Sequence, residues 1–326
     1  LVGRSYAIDI LSIGEAMVEM SATGDLQSAQ TFIRGYGGDT FNTAMAAARL
    51  GCQVGYLTRV APDPFGDSLL DVMVREGFVT DEVVKMTPGF TGLYFVLRSP
   101  QTGERTYWYY RRGSSASFLC EADVLPHVVQ SAKIVFSSGI TLSLSDSARQ
   151  AVLKAFRIAK ESGIMTAFDL NYRAALWPSP AHAFEAITQI LPYVDVLLPT
   201  LPDDTDPLLG LDRPDQVMDY FMTRGVPLVV AKRGAEGCLL GFKGSLQAIP
   251  AYRVQQVVDA IGAGDAFNAG FLHGLINKKS LIDCAELAVV TAGLKVESRG
   301  SALAMPSMEA VYSQFLKLKA RPGVAS

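Results

Sequence analysis

Short apolar runs rich in β-branched residues recur along the chain with little internal alternation: AIDILSIG (7–14), QVGYLTRV (53–60), KIVFSS (133–138), IMTAFDL (164–170), VDVLLP (194–199) and VPLVVAKRG (226–234). A strand that is apolar on both sides is buried on both faces, so these runs predict a mainly parallel sheet covered above and below. Between them lie stretches of helical period, at Asp39–Leu50, Asp67–Glu76, Asp146–Glu161, Pro214–Arg224 and Asp265–Asn277. Strand–helix alternation of this kind defines an α/β class with a three-layer α/β/α core. Two regions break the rhythm. AMVEMSATGDLQSAQTFIRGYGG and TGLYFVLRSPQTGERTYWYYRRGSS look like strands joined by polar turns, SPQTGE being the clearest, and so read as antiparallel hairpins. Placed together, at about 15–37 and 90–115, they form a small β-sheet lid inserted in one domain that spans 6–326. The leading LVGRS is set aside as extraneous to the fold.

Composition narrows the partner class. The 326 residues are 49% hydrophobic, enough for a large core. The 29 basic and 32 acidic residues nearly cancel, which argues against a nucleic-acid binder that neutralises phosphates. No apolar run approaches the roughly 20 residues of a membrane span, so no membrane partner is expected. Cys52, Cys120, Cys238 and Cys284 lie far apart without metal-ligand spacing and read as small core residues in a reducing, cytoplasmic setting. A small-molecule substrate is the remaining expectation.

Candidate chemistry concentrates in VVDAIGAGDAFNAGFLHGL (257–275), where Gly262-Ala263-Gly264-Asp265 stands between a β-branched run and a helix of small residues. Glycines let a ligand approach the main chain, and the free N–H groups of a helix start attract anions. Asp265 has two readings: an acid of the first helical turn, or a general base taking a proton from an attacking hydroxyl. Capping alone does not require two glycines. No P-loop pattern G-x-x-x-x-G-K-[ST] occurs, and no G-x-G-x-x-G follows the first strand, which disfavours a nicotinamide dehydrogenase.

Asp259-A-I-G-A-G-Asp265-A-F-N-A-G-F resembles the second signature of the ribokinase-like sugar kinases, the PfkB family, and GEAMVEM (14–20), GYGGDTFNTAMAAARLG (35–51), GDSLLDVMVREGF (66–78) and KRGAEGCLL (232–240) extend the resemblance. It implies a ribokinase-like fold in which ATP, with Mg²⁺, phosphorylates a sugar hydroxyl under the lid, and it leaves room for a monovalent cation. On the matching positions Asp265 would be the base, and the backbone of Gly262, Ala263 and Gly264 the anion hole. Asn171, Arg173, Lys232, Gly234, Gly237, Gly262 and Gly264 would line the ATP site. Lys232, Gly234 and Gly237 are placed in a loop near the nucleotide; for Gly237 a tight turn between two strands is an equal reading. Where many members carry Asn-x-x-Glu this chain has Thr200-Leu-Pro-Asp203. Asp203 would act on Mg²⁺ through water, or else Asp203 and Asp204 are first-turn acids of the next helix.

Within the family, the lid sequences resemble those of 2-keto-3-deoxygluconate kinases: Tyr-Phe-Val at 94–96, then Tyr-Tyr-Arg-x-Gly-Ser-x-Ala-Ser from Tyr109, then Asp-x-Asn-x-Arg from Asp169. By that resemblance Gly37, Gly38, Asn42, Tyr94, Tyr109, Arg111, Arg173 and Asp265 would meet the sugar acid, with Arg111 near its carboxylate. Strand alternation puts Tyr107, Tyr109 and Arg111 on one face and Trp108, Tyr110 and Arg112 on the other, where packing or a homo-oligomer contact through the lid would cover them. Fructokinases share GE and Asp-x-Asn-x-Arg, so a fructokinase or another hexose kinase is the alternative. A non-catalytic sugar or nucleotide sensor is the alternative from a different class.

Overall fold

The computed structural model describes residues 8–87 and 89–320; the LVGRS stretch and the two ends of the expected domain, 6–7 and 321–326, lie outside the described residues. The strands, in chain order, are β1 Ile8–Ile13, β2 Met17–Thr23, β3 Ile33–Gly37, β4 Val54–Val60, β5 Val83–Lys85, β6 Leu93–Arg98 and β7 Arg105–Tyr110. They continue with β8 Ala132–Ser138, β9 Met165–Asp169, β10 Val196–Leu197, β11 Leu228–Lys232, β12 Cys238–Phe242 and β13 Ser245–Ile249. Nine of them form one sheet in the order β13-β12-β11-β10-β9-β8-β1-β4-β5. From β11 to β5 every pairing is parallel, while β12 and β13 run antiparallel at one edge.

Alternate residues of each strand feed two separate apolar layers, the physical content of the unalternating runs. Ile10, Tyr56, Phe136 and Val230 pack into one layer, with helices Asp39–Arg49, Ala263–Ile276 and Leu281–Val296. Ile13, Leu57, Val135, Phe168 and Val229 pack into the other, with helices Asp146–Glu161, Pro180–Ile190 and Pro214–Thr223. The three-layer expectation holds. Cys52, Cys238 and Cys284 are buried, and burial pushes each thiol up to about 12, so they serve as packing groups. Among the described residues no helix is long and apolar enough to cross a membrane.

Several boundaries differ from the sequence expectation. The helix expected from Asp67 begins at Pro64, because Asp63 accepts from the Gly66 N–H at 2.7 Å and Pro64 presets the first turn. The helix expected from Asp265 begins at Ala263. The VDVLLP run keeps only two residues as strand because Pro199 has no N–H to offer β11; the pairing resumes in the same register at Thr200, where the Pro199 carbonyl accepts from the Lys232 N–H at 2.8 Å.

The four remaining strands form a separate sheet in the order β3-β2-β6-β7. Its β2–β3 and β6–β7 pairs are antiparallel hairpins, joined by the parallel β2–β6 pairing that sets Tyr94 beside Glu19. The turn after Ser99 closes as expected, with the Gly103 N–H donating to the Ser99 carbonyl at 2.9 Å. This sheet stands over the carboxyl ends of β1, β8, β9 and β11. There β1 and β8 lead away in opposite directions, the position at which open α/β sheets bind ligands.

Candidate active site

A cavity of about 510 Å³ lies between the lid and the core. Its floor is the start of helix Ala263–Ile276. Gly262 flanks this helix with φ 74°, a left-handed conformation natural to glycine, and no side chain caps the helix start. The Ala263 N–H turns back to the Ala260 carbonyl, while the Gly264 and Asp265 N–H groups find no acceptor among the described residues. With the helix dipole behind them, these donors form an anion site that also lines the cavity.

Asp265, inside the first turn, does not cap the helix. Its Oδ2 accepts from Asn42 Nδ2 at 2.8 Å, across from helix Asp39–Arg49. Burial pushes its carboxyl up to about 7, reinforced by the charges of Asp39 and Asp169 and opposed by the Asn42 hydrogen bond and Lys232. A carboxylate poised near neutrality beside an anion site is suited to accept a proton from a hydroxyl.

Behind it lies a buried charge network. Asp169 Oδ2, at the end of β9, accepts from Lys232 Nζ at 2.7 Å and Asn268 Nδ2 at 2.6 Å, and Asn268 Oδ1 accepts from Lys232 Nζ at 3.2 Å. Such a buried pair is tolerable because its polar atoms are satisfied, and it pins β9, β11 and the anion-site helix together. Asp204 ties two further loops, accepting from the Tyr172 N–H at 2.8 Å and the Thr200 N–H at 2.7 Å. Burial raises its carboxyl to about 6, with the Asp169 charge adding and Lys232 opposing. It is therefore a brace between loops, while its exposed neighbour Asp203 lines the cavity.

The roof is aromatic and cationic. Tyr94 stacks on Tyr109 at 5.7 Å between centroids, and Tyr109 on Tyr107 at 6.3 Å. Tyr107, Tyr109 and Arg111 all line the cavity, as alternation along β7 requires. Arg111 is paired with Glu15 at 2.5 Å, and Ser114 Oγ donates to the other Glu15 oxygen at 2.5 Å. The Tyr94 hydroxyl is likewise engaged, donating to Glu19 Oε2 at 2.5 Å and lying 3.2 Å from Ser301 Oγ. Arg173 lies exposed at the cavity wall, and its guanidinium is hydrogen-bonded to none of the described residues.

Of the residues singled out in the sequence, Gly38, Asn42, Tyr94, Tyr109, Arg111, Asn171, Arg173, Asp203, Lys232, Gly262, Gly264 and Asp265 all line this one cavity. Gly37, Ala263, Gly234 and Gly237 do not. A Cβ on Gly37 would stand 2.1 Å from the Tyr94 hydroxyl, so that glycine makes room for the roof. Gly237, at φ 91°, has the Ile249 carbonyl 2.1 Å from where a Cβ would be, which favours the tight-turn reading. Lys232 is the last residue of β11 and points inward to Asp169, where a loop position was expected. Sequence reasoning gave no role to Glu15, Asp39 or Asn268, and it read Asp204 only as a first-turn acid of the next helix, whereas its carboxylate braces Tyr172 and Thr200. Glu15 and Asn268 lay within stretches already quoted, but nothing in a linear pattern names their partners. A second, more open hollow of about 660 Å³ between β3 and helix Pro64–Arg75 is lined by Arg34, Asp67, Asp71 and Arg75 and lies apart from this chemistry.

A three-layer core, a lid, and a free helix start with a carboxylate beside it place the chain among ribokinase-like proteins. The solved fructokinase with bound ATP from Xylella fastidiosa superposes with a TM-score of 0.85 at 26% identity, covering 96% of this chain and 99% of that one. Residues 7–308 match the pfkB family carbohydrate kinases, and the chain belongs to that family. It is 38% identical over 309 residues to the 2-dehydro-3-deoxygluconokinase of Thermoproteus tenax, covering 92% of both chains. To the 2-dehydro-3-deoxygluconokinase of Dickeya dadantii (strain 3937) it is 34% identical over 314 residues, covering 93% of this chain and 99% of that one.

Proposed function

We propose that this protein transfers the γ-phosphoryl group of ATP to the 6-hydroxyl of 2-dehydro-3-deoxy-D-gluconate (2-keto-3-deoxygluconate), releasing ADP and the 6-phosphate. The observation that carries the reading is Asp265: a buried carboxyl near neutrality, beside unpaired helix N–H groups and beneath an aromatic and cationic roof. Asp265 takes the proton of the sugar hydroxyl as its oxygen attacks phosphorus. The Gly264 and Asp265 N–H groups hold the charge on the phosphoryl oxygens, and Arg173, free at the wall, reaches the same oxygens. Tyr107 and Tyr109 cover the sugar and exclude water. The sugar carboxylate takes the Arg111 N–H donors that Glu15 leaves open.

The donor set fits a metal ion brought with the nucleotide. Among the described residues no cluster of three or more His, Cys, Asp or Glu side chains is arranged to hold a metal. Mg²⁺ is commonly bound by one or two carboxylates together with substrate phosphates and water, and Asp203 at the cavity wall supplies one such carboxylate. Bound there, Mg²⁺ would neutralise phosphate charge.

One observation favours a second reading. The Glu15–Arg111 pair is already neutral, so a fructokinase holding an uncharged sugar would leave Arg111 undisturbed. An ADP-release assay with the sugar acid and with fructose separates the two, and activity with neither sugar nor any other sugar acid would point to a sensor.

We also propose that a second copy of the chain covers the outer face of the lid. Trp108 and Tyr110 are 52% and 53% exposed there, with Phe95 packed edge-on to Tyr110 at 5.7 Å. Exposed aromatic groups on a projecting sheet carry the apolar area that association buries. In sedimentation equilibrium the wild type is expected as a dimer and Trp108→Glu as a monomer; a monomeric wild type contradicts this assignment.

A further inference from the structure

One ion pair joining the lid to the core has no part in the mechanism above. Arg105, the first residue of β7, contacts Asp259 Oδ1 through Nη1 at 2.5 Å, and the two side chains are 16% and 3% exposed. Alternation places Arg105 on the same face as Tyr107, Tyr109 and Arg111, so a single strand carries both the roof of the cavity and this contact. Asp259 begins the segment that leads into the anion site. Its Oδ1 also accepts from the Ile261 N–H at 2.9 Å, and its Oδ2 from the Gly300 N–H at 3.0 Å. Its carbonyl accepts from the buried ammonium of Lys295 at 3.0 Å, which also reaches the Ser298 carbonyl at 3.3 Å. Asp259 thus fixes the backbone at Ile261, the residue before left-handed Gly262, and Arg105 is the lid's hold on Asp259.

Resting on the proposed phosphoryl transfer, we propose that Arg105 and Asp259 are positioning residues through which the seated lid fixes the anion site. The lid that covers the sugar and the loop that receives the phosphoryl group then settle together, so the donors are aligned when the acceptor is enclosed. The physical basis is that hydrogen-bond donors stabilise a transition state only when they are already oriented. Removing Arg105 takes away the ion-pair partner of the buried Asp259 carboxylate and leaves the Lys295 ammonium nearby, so the Asp259–Gly262 backbone loses part of its restraint. Neither residue lines the cavity. Sugar binding, made by Tyr109 and Arg111, is therefore expected to change far less than turnover.

Two readouts test this on the full chain. Hydrogen exchange of the 259–264 segment in the unliganded protein is expected to quicken about tenfold in Arg105→Gln, with Arg105→Lys recovering part of the protection. In steady state Arg105→Gln is expected to lower kcat by about tenfold or more, with KM for the sugar acid changed less than about threefold and partial recovery in Arg105→Lys. Unchanged exchange in 259–264 overturns the proposal, as does a raised KM with unchanged kcat, which would make Arg105 a sugar-binding group alone. If the wild type phosphorylates no sugar acid, the functional reading fails while the exchange measurement still decides whether the lid fixes the loop.

Discussion

Asp265→Asn is expected to lower kcat by about 10²–10⁴ while leaving sugar and ATP binding within a few-fold, the range that follows from losing a positioned general base. Asparagine keeps the shape and still accepts from Asn42, so the anion site is preserved and only proton acceptance is lost. The pH dependence follows from the same group. Because burial, with Asp39 and Asp169, raises the carboxyl from 3.8 to about 7, kcat/KM of the wild type is expected to rise with pH and level off above about 7. That rising limb should vanish from the residual activity of the variant. Stability moves the opposite way. A carboxyl raised on folding favours the folded state most below its unfolded pKa, and that advantage is lost as pH rises from about 4 through about 7. Asp265→Asn should therefore be more stable than wild type at pH 8, on the order of 2 kcal/mol, and the gain should shrink toward pH 5. Equal melting temperatures at pH 8 would mean that Asp265 is not the strained carboxyl described here.

The second large effect is expected at Arg111. Arg111→Met should raise KM for 2-dehydro-3-deoxy-D-gluconate by about 10–100-fold, the worth of a charge-assisted hydrogen bond in a covered site. It should also destabilise the fold by about 3 kcal/mol, because Glu15 remains buried without its cation. The double substitution Glu15→Gln with Arg111→Met separates these consequences. It removes the orphaned charge, so melting temperature should recover much of the loss while KM stays high. Recovery of KM in the double variant would show that the sugar carboxylate is held elsewhere.

The sheet was legible because burial on both faces leaves a direct trace, an apolar run without alternation, and the hairpins because polar turns, SPQTGE above all, separate their strand-like runs. The helix start at Gly262–Asp265 was legible because positive φ and a free N-terminus demand particular residues in consecutive positions. What stayed hidden is pairing at a distance. Arg111 reads as a free cation in its strand, yet it folds against Glu15. Lys232 reads as a loop lysine, yet it is locked to Asp169 and Asn268. Arg105 and Asp259 stand far apart in the chain and belong to segments of opposite character, a solvated hairpin and a buried loop. Charge partners of this kind leave no periodicity, so only the fold discloses that two lid cations, Arg105 and Arg111, are paired with carboxylates. The glycines of KRGAEG show the converse difficulty, since a turn between antiparallel strands and a phosphate loop make the same demand on the backbone, and the sequence alone leaves both readings open.

Transfer of phosphate to a sugar acid is tested most directly by one assay. ATP, Mg²⁺ and the purified protein are incubated with 2-dehydro-3-deoxy-D-gluconate or with fructose, ADP release is followed, and the product is examined by phosphorus NMR. The expected result is a kcat/KM for the sugar acid at least about 10²-fold above that for fructose, with the new phosphate coupled to the protons of C6. A preference for fructose, or ADP release without a sugar phosphate, would contradict it.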